Sequence, residues 1–389
     1  MRRLVALGAL ATVLLVACNP GARDAEPFQG NWQSETWGTY ISVNGGSVEI
    51  FEYSAVHCFS IASGGARGIN DVLSLEGEVL VLTDAGRTVR LDRIDFLPEA
   101  CVGPVADDPV ATFDVLAATI EEHFFPGIDV GWESRVEALR PVVTATDDEL
   151  FESITSLLGP LDRPDVRLAG RNETWVAAPA APVEFPEAEA SAGGGILAGS
   201  LGDGIAYLAF RRFGDFAGDS DDSERAAAEA IDSSVAAGES LVLDLRASDG
   251  GSIDHAMLVA SRIVPEQRVV ATLSARGPDR FSNAGDVMVR PLPSGTFEGR
   301  IAVLVGSGTV GVAELLVAAL EGVDGVTIIG QPTAGSPGPG MVRFLPNGWS
   351  VGFPNLTATL ADGTDLAEGV IPNLLTADAL AEALEILRS

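Results

Sequence analysis

The chain has 389 residues, 47% hydrophobic and 20% charged, enough for two or three domains with substantial cores and too apolar for disorder throughout. Its formal net charge is −31, with 55 acidic residues against 24 basic ones, which argues against a nucleic-acid partner and reads as a solubility adaptation rather than a binding device. Every basic residue is arginine, so any Ser–Lys mechanism is excluded.

Arg2 and Arg3 precede an apolar run, Leu4 to Ala17, that closes as L-V-A-C on Cys18. The run is too short to span a bilayer and ends at a lipobox cysteine, so residues 1–17 read as a lipoprotein signal peptide with Cys18 as the lipidation site. The expected location is the bacterial cell envelope, lipid-anchored outside the cytoplasm. Asn19 carries no inner-membrane retention aspartate, which favours the outer membrane of a two-membrane cell. Residues 18–27 form a tether.

From 28 to 104, apolar and polar positions alternate between turn signals, as in Val48-Glu49-Ile50-Phe51-Glu52-Tyr53 after Asn44-Gly45-Gly46. This pattern predicts a small antiparallel β domain of six or seven strands. Cys58 and Cys101 bracket much of it and in an oxidising compartment could pair as a disulfide; two buried free thiols is the other reading. From 105 to 170 the period becomes helical. Asp107 or Asp108 caps a helix with Pro109 in its first turn, and Phe113, Leu116, Ile120 and Phe124 share a face. Further helices are expected over Glu133–Leu139 and Leu150–Leu158, the latter behind the capping box that opens at Thr146. Residues 171–202, rich in Ala, Pro, Glu and Gly, read as a linker or long surface loop.

From 203 to 389, strand candidates at Ile205–Phe210, Leu241–Leu245, Val269–Leu273, Ile301–Val305 and Val326–Ile329 alternate with helices at Ser223–Ala237, Ile253–Ile263 and Val312–Glu321. That rhythm predicts an α/β domain with a largely parallel sheet. Between the fourth of these strands and the last helix lies S-G-T-V-G-V-A-E, Ser307 to Glu314. A strand, a tight turn and a helix N-terminus is where acyl-transfer enzymes place a serine, because free backbone N–H groups there stabilise an oxyanion.

Several separated motifs share an order: I-E-E-H-F-F at 120–125, T-D-D-E-L-F at 146–151, V-L-D-L-R-A-S-D-G-G at 242–251, G-Q-P-T-A-G at 330–335, F-L-P-N-G-W at 344–349, and D-G-T followed by E-G-V-I-P near the C-terminus. Over about residues 108–389 the chain resembles the tail-specific or C-terminal processing serine peptidases, in their tricorn-core-like branch. The resemblance implies a ClpP/crotonase-like α/β peptidase core with a small helical bundle, here preceded by the β domain. In that family the turn reads like S-G-T-V-S-A-A-E, so Gly311 stands in the nucleophile slot, where no side chain can attack a carbonyl. Asp165 stands in the histidine slot of the tricorn-like branch, and Ser336 in the lysine slot of the processing-protease branch. Glu368 is the possible equivalent of the supporting glutamate, although anchoring on Gly369-Val370-Ile371-Pro372 would put Leu366 there. What the resemblance preserves is the oxyanion scaffold of Gly250, Gly251 and the Val312 N–H.

Ser307, Thr309 and Ser336 are the nearby hydroxyls, and His57, His123 and His255 the only histidines. Of these, His255 alone is expected near the pocket. No paired-His or Cys-cluster spacing supports a metal, and no cofactor is implied. The expectation is a lipid-anchored pseudoenzyme whose cleft binds a peptide or protein C-terminus or an apolar small ligand. The alternatives are an active serine hydrolase using shifted residues, and a binding module in the N-terminal β domain.

Overall fold

The computed structural model describes residues 24–84, 87–101, 108–128, 131–140, 146–170, 173–186, 189–191, 195–214, 232–233, 236, 239–293 and 295–389. The signal peptide, Cys18 and most of the helix expected over Ser223–Ala237 lie outside the described residues. Among the described residues, no helix is long and apolar enough to cross a membrane.

The N-terminal part is one antiparallel sheet of β1 (Gly30–Ser34), β2 (Thr39–Asn44), β3 (Ser47–Ser54), β4 (His57–Gly65), β5 (Leu73–Glu76), β6 (Val79–Asp84) and β7 (Arg87–Ile94), in the order β4-β3-β2-β1-β7-β6-β5. Both faces are covered. An irregularity in the β3–β4 register falls between Ile50 and Phe51, and both residues are buried although they are consecutive. Ile50 joins the main core, whereas Phe51 joins Tyr40, Cys58 and Cys101 in a small second cluster. There Cys58 and Cys101 are joined by a disulfide, beside a Tyr40–Tyr53 ring stack with centroids 4.3 Å apart.

Three helices follow: α1 (Pro109–His123), α2 (Trp132–Leu139) and α3 (Asp147–Leu158). Asp108 caps α1 by accepting the Ala111 N–H at 2.9 Å, and Thr146 caps α3 by accepting the Glu149 N–H at 3.2 Å, so both sequence signals act as capping signals should. Phe113, Leu116 and Ile120 are wholly buried and continue the same cluster that holds Trp32, Val43 and Leu91 of the β sheet and Val351 and Phe353 of the C-terminal part. The β domain therefore shares its core with the rest of the molecule.

The central sheet runs β10 (Glu189–Ser191), β11 (Ile196–Ser200), β12 (Ile205–Phe210), β13 (Ser240–Asp244), β16 (Arg300–Val305), β17 (Val326–Gly330) and β21 (Leu374–Leu375). From β12 onward all pairings are parallel, while β10 and β11 are antiparallel additions. Tyr207, Val242, Ala302, Leu304 and Ile329 point to one face under α6 (Ala379–Arg388). Leu208, Leu243, Val303 and Ile328 point into the main core with α4 (Ile253–Ala260) and α5 (Val312–Leu320). Burial on both faces is why these strands read as unbroken apolar runs.

Two expectations are corrected. The segment 171–202 is not a structureless linker: β9 (Glu173–Val176) pairs with β8 (Arg167–Gly170), and β10 and β11 extend the central sheet. β10 (Glu-Ala-Ser) and β11 (Ile-Leu-Ala-Gly-Ser) hide because they carry few large apolar residues. The strand around Val269–Leu273, β14 (Arg268–Arg276), is also outside the parallel sheet. It pairs antiparallel with β15 (Phe281–Val289) and β20 (Leu356–Leu360), and its half-buried alternation suits a sheet with one covered face. A fourth sheet, β18-β19-β8-β9, brings β18 (Met341–Phe344) and β19 (Ser350–Phe353) beside the segment that carries Asp165.

Candidate functional site

The turn from β16 to α5 is stitched on both sides. Thr309, wholly buried, donates its hydroxyl to Leu245 O at 2.8 Å and accepts the Gly306 N–H at 3.0 Å. The Val310 N–H bonds Ser248 O at 2.9 Å, and the Ala334 N–H bonds Thr309 O at 3.1 Å. Thr309 is thus a structural staple whose hydroxyl is committed.

Gly311 caps α5 with φ 70° and ψ −129°. That conformation is costly for any residue with a Cβ, and a strained strand-to-helix turn of this kind is the setting of an exposed serine nucleophile. A Cβ at this position would lie 3.0 Å from Gly338 O and 3.2 Å from Gly250 Cα. The elbow has kept its shape, and glycine occupies it with little strain.

The two glycines of the D-G-G segment do different things. The position a Gly250 Cβ would take is 3.7 Å from Gly311 Cα and 3.9 Å from Val312 N, so Gly250 and the α5 N-terminus form one surface. The Val312 N–H sits in the first helical turn, where helix geometry supplies no acceptor. At Gly251 a Cβ would fall 1.9 Å from Phe213 O. The Phe213 N–H bonds Gly250 O at 2.7 Å and its carbonyl accepts the Ser252 N–H at 2.6 Å, so Gly251 is required by that close backbone approach.

Beneath the turn, Glu314 is wholly buried. Its Oε1 accepts the Thr333 hydroxyl at 2.6 Å and the Gly335 N–H at 2.7 Å, and its Oε2 accepts the Ser336 N–H at 2.7 Å. Burial pushes the Glu314 carboxyl up to about 7 against the pull of these three donors, and the nearby Asp165 charge adds to the rise. Thr333 in turn accepts the Val370 N–H at 2.7 Å.

Asp165 and Ser336 are directly bonded: the Ser336 hydroxyl donates to Asp165 Oδ2. The other Asp165 oxygen pairs with Arg163 Nε at 3.1 Å, and Arg163 Nη2 donates to Gly335 O at 3.0 Å. A continuous chain therefore runs from Gly311, whose carbonyl accepts the Glu314 N–H at 3.0 Å, through Glu314 and Ser336 to Asp165. The geometry brings together Gly311, Gly250, Val312, Ser336 and Asp165.

The remaining candidates are dispersed. Ser307 is exposed, His255 is half-buried on α4, His57 lies in β4, and His123 is wholly buried where α1 meets the β sheet. Among the described residues no group of three or more His, Cys, Asp or Glu could hold a metal ion.

The sequence model of peptidase family S41 matches residues 204–376. The fold is shared with solved structures: a candidate peptidase from Parabacteroides merdae (20% identity, 72% of this chain and 93% of that one, TM-score 0.56) and a lipoprotein from Streptococcus agalactiae (14% identity, 76% and 98%, TM-score 0.50). It is shared also with mature CPAF complexed with lactacystin (11% identity, 72% and 97%, TM-score 0.50). No curated protein sequence matches the chain. Residues 204–376 thus carry the sequence pattern of peptidase family S41 on a fold shared with these structures.

Within this S41-like core, the acid that supports the turn is Glu314, not Glu368. Glu368 is exposed in a 3₁₀ turn, Leu366–Glu368, whose buried member is Leu366. The backbone of that turn presses against the G-Q-P-T-A-G loop: a Cβ at Gly335 would lie 2.2 Å from Ala367 O. Sequence reasoning used Glu314 only as a landmark for the slot before it. It missed Thr333, Arg163 and Phe213 entirely. An acid inside an otherwise wholly apolar helix, V-A-E-L-L-V-A-A-L, was the signal that could have found Glu314.

Proposed function

We propose that this S41-fold protein is a catalytically silent envelope lipoprotein whose cleft at Gly311 binds a peptide or an apolar ligand without cutting it. One observation carries the reading. The elbow keeps the backbone shape that presents a nucleophile, yet the residue there is a glycine, and the adjacent hydroxyl of Ser336 is tied to Asp165. Gly250 and the Val312 N–H remain side by side, so a carbonyl or carboxylate oxygen still finds donors at the helix N-terminus. A protein with this fold that is itself a lipoprotein supports the envelope location. So does the Leu-Val-Ala-Cys segment at Cys18.

The rival is a hydrolase in which Ser336 acts as a displaced nucleophile, and its contact with Asp165 favours it over Ser307 and Thr309. Two features oppose it. Ser336 is only 4% exposed, and Asp165 is shared with Arg163. A fluorophosphonate probe separates the readings. The expected result is no labelling of the purified chain. Labelling that vanishes in Ser336→Ala or Ser307→Ala would overturn the silent reading.

A further inference from the structure

We infer that Glu314 is a proton-operated clamp on this cleft: ionised, it holds residues 333–336 against the first turn of α5, and protonated, it releases them. The inference takes from the proposed function only that the Gly311 turn lines the ligand cleft.

The geometry is that of a carboxylate acting purely as an acceptor. Three donors, the Thr333 hydroxyl and the Gly335 and Ser336 N–H groups, converge on it from one loop within 2.6–2.7 Å, and the side chain is wholly buried. An ionised carboxylate satisfies all three at once. A protonated one must donate through one oxygen. Oε1 already carries two donors and Oε2 faces only Ser336 N, so the proton is accommodated with least loss on Oε2, where it competes with the Ser336 N–H. The Thr333 oxygen already accepts from Val370 N, and to take the Glu314 proton on its remaining lone pair it would have to turn its own hydroxyl away from Oε1.

The consequence reaches the cleft through the chain itself. Freed from Glu314, the Ser336 N–H loses its partner. Because Ala334 stays bonded to Thr309 O and Gly335 O to Arg163, the loosening falls on Ser336, still tied through its hydroxyl to Asp165, and on the residues after it. Two residues on, Gly338 O is the backbone atom nearest the space above Gly311. Loosening 336–338 therefore frees the backbone facing the elbow, while the elbow itself remains held by Thr309 and Val310.

The surroundings set where the clamp titrates. Glu314 is the only charged residue of α5, and the loop 333–338 carries none. Segment 162–166 contributes Asp162, Arg163 and Asp165, and the turn at 365–369 contributes Asp365 and Glu368, all on its outer elements. Among these, Asp165 is the charge that raises Glu314, secondary to burial. Together they bring the carboxyl to about 7, so the clamp changes state across neutral pH.

Hydrogen exchange of the ligand-free protein tests this without reference to any ligand. Between pH 8.5 and 5.5, with intrinsic rates corrected, peptides covering 333–338 are expected to exchange about tenfold faster at the acid end, while those covering 301–305 stay unchanged. Glu314→Gln is expected to show the fast pattern at every pH. Asp165→Asn keeps Glu314 intact and is expected to move the midpoint to lower pH, a shift that a merely structural role would not produce. Protection of 333–338 that is flat with pH, or a midpoint unmoved by Asp165→Asn, would overturn the clamp while leaving the silent-cleft reading standing.

Discussion

Ser336 and Asp165, which lie 171 residues apart in sequence, are bonded hydroxyl to carboxylate. The resemblance to processing peptidases assigned them to the base slots of two different branches. In the folded chain they form a single contact, with Arg163 closing the far side of the carboxylate. The pair joins the loop after β17 to the segment that leads into β8.

Supplying a nucleophile and a base at those slots is the most direct check on the proposed silence of this site. Gly311→Ser with Asp165→His is expected to produce measurable peptidase activity on an unstructured peptide, whereas Gly311→Ser alone stays inert for want of a base. The serine must adopt φ near 70° and make room for Gly338 O, so the substitution is expected to cost about 1–3 kcal/mol in denaturant unfolding. A folded double variant without activity would show that Asp165 does not face the elbow.

The two neighbouring glycines are expected to respond differently to alanine. Gly251→Ala places a Cβ 1.9 Å from Phe213 O, which forces the backbones apart and should cost at least about 3 kcal/mol. Gly250→Ala meets nothing closer than 3.5 Å, and the expected cost is the backbone term alone, about 1–2 kcal/mol. Equilibrium unfolding of the pair measures the difference; equal losses would mean that the Phe213 contact does not determine the choice of glycine.

Much of this arrangement could be read before the fold was known. Apolar runs marked β12, β13, β16 and β17 because these strands are buried on both faces, and Asp108 and Thr146 marked helix starts because capping is a local interaction. Gly311 stood out because a turn motif is also local. What stayed hidden depends on partners distant in sequence. Nothing near Gly251 announces Phe213, and nothing near Glu314 announces the loop that donates to it. The strands at 173–176, 189–191 and 196–200 were missed because they are short and set among alanines, glycines and prolines that imitate a linker when the partner strand is unknown.

The Cys58–Cys101 bond closes a loop of 43 residues across the outer cluster of the β sheet. Loop-closure entropy for that length corresponds to about 4 kcal/mol. The double change to Ser is expected to lower stability by that order. Because the β sheet shares the main core with α1 and β19, the whole molecule should unfold in one transition with the β sheet rather than after it. Two resolved transitions in the double variant, monitored by Trp32-region exchange and by α5 exchange, would show that the sheet is an independent unit.

The junction between the β sheet and the core sets an acid limit. His123 is wholly buried, and burial first, then the Arg343 charge, lower its pKa to about 3. Arg343 itself is paired with Glu52 of β3 at 3.2 Å, both side chains being buried. A histidine whose folded value lies below its unfolded one contributes stability that is full above about 6.5 and is lost as pH falls toward the folded value. The window is therefore pH 6.5 down to about 3, with a loss on the order of 4 kcal/mol over it. Glu52 and Glu122, both raised chiefly by burial, act in the opposite sense, since their unfavourable ionisation is relieved as pH falls. Comparing wild type with His123→Gln cancels those carboxyl contributions. The expected outcome is that the variant is less stable at pH 7.5 but loses less on going to pH 4, because Gln cannot take up the proton that expels His123 from the junction. Parallel pH profiles for the two proteins would mean that His123 does not titrate on unfolding, and the acid limit would then have to come from another group.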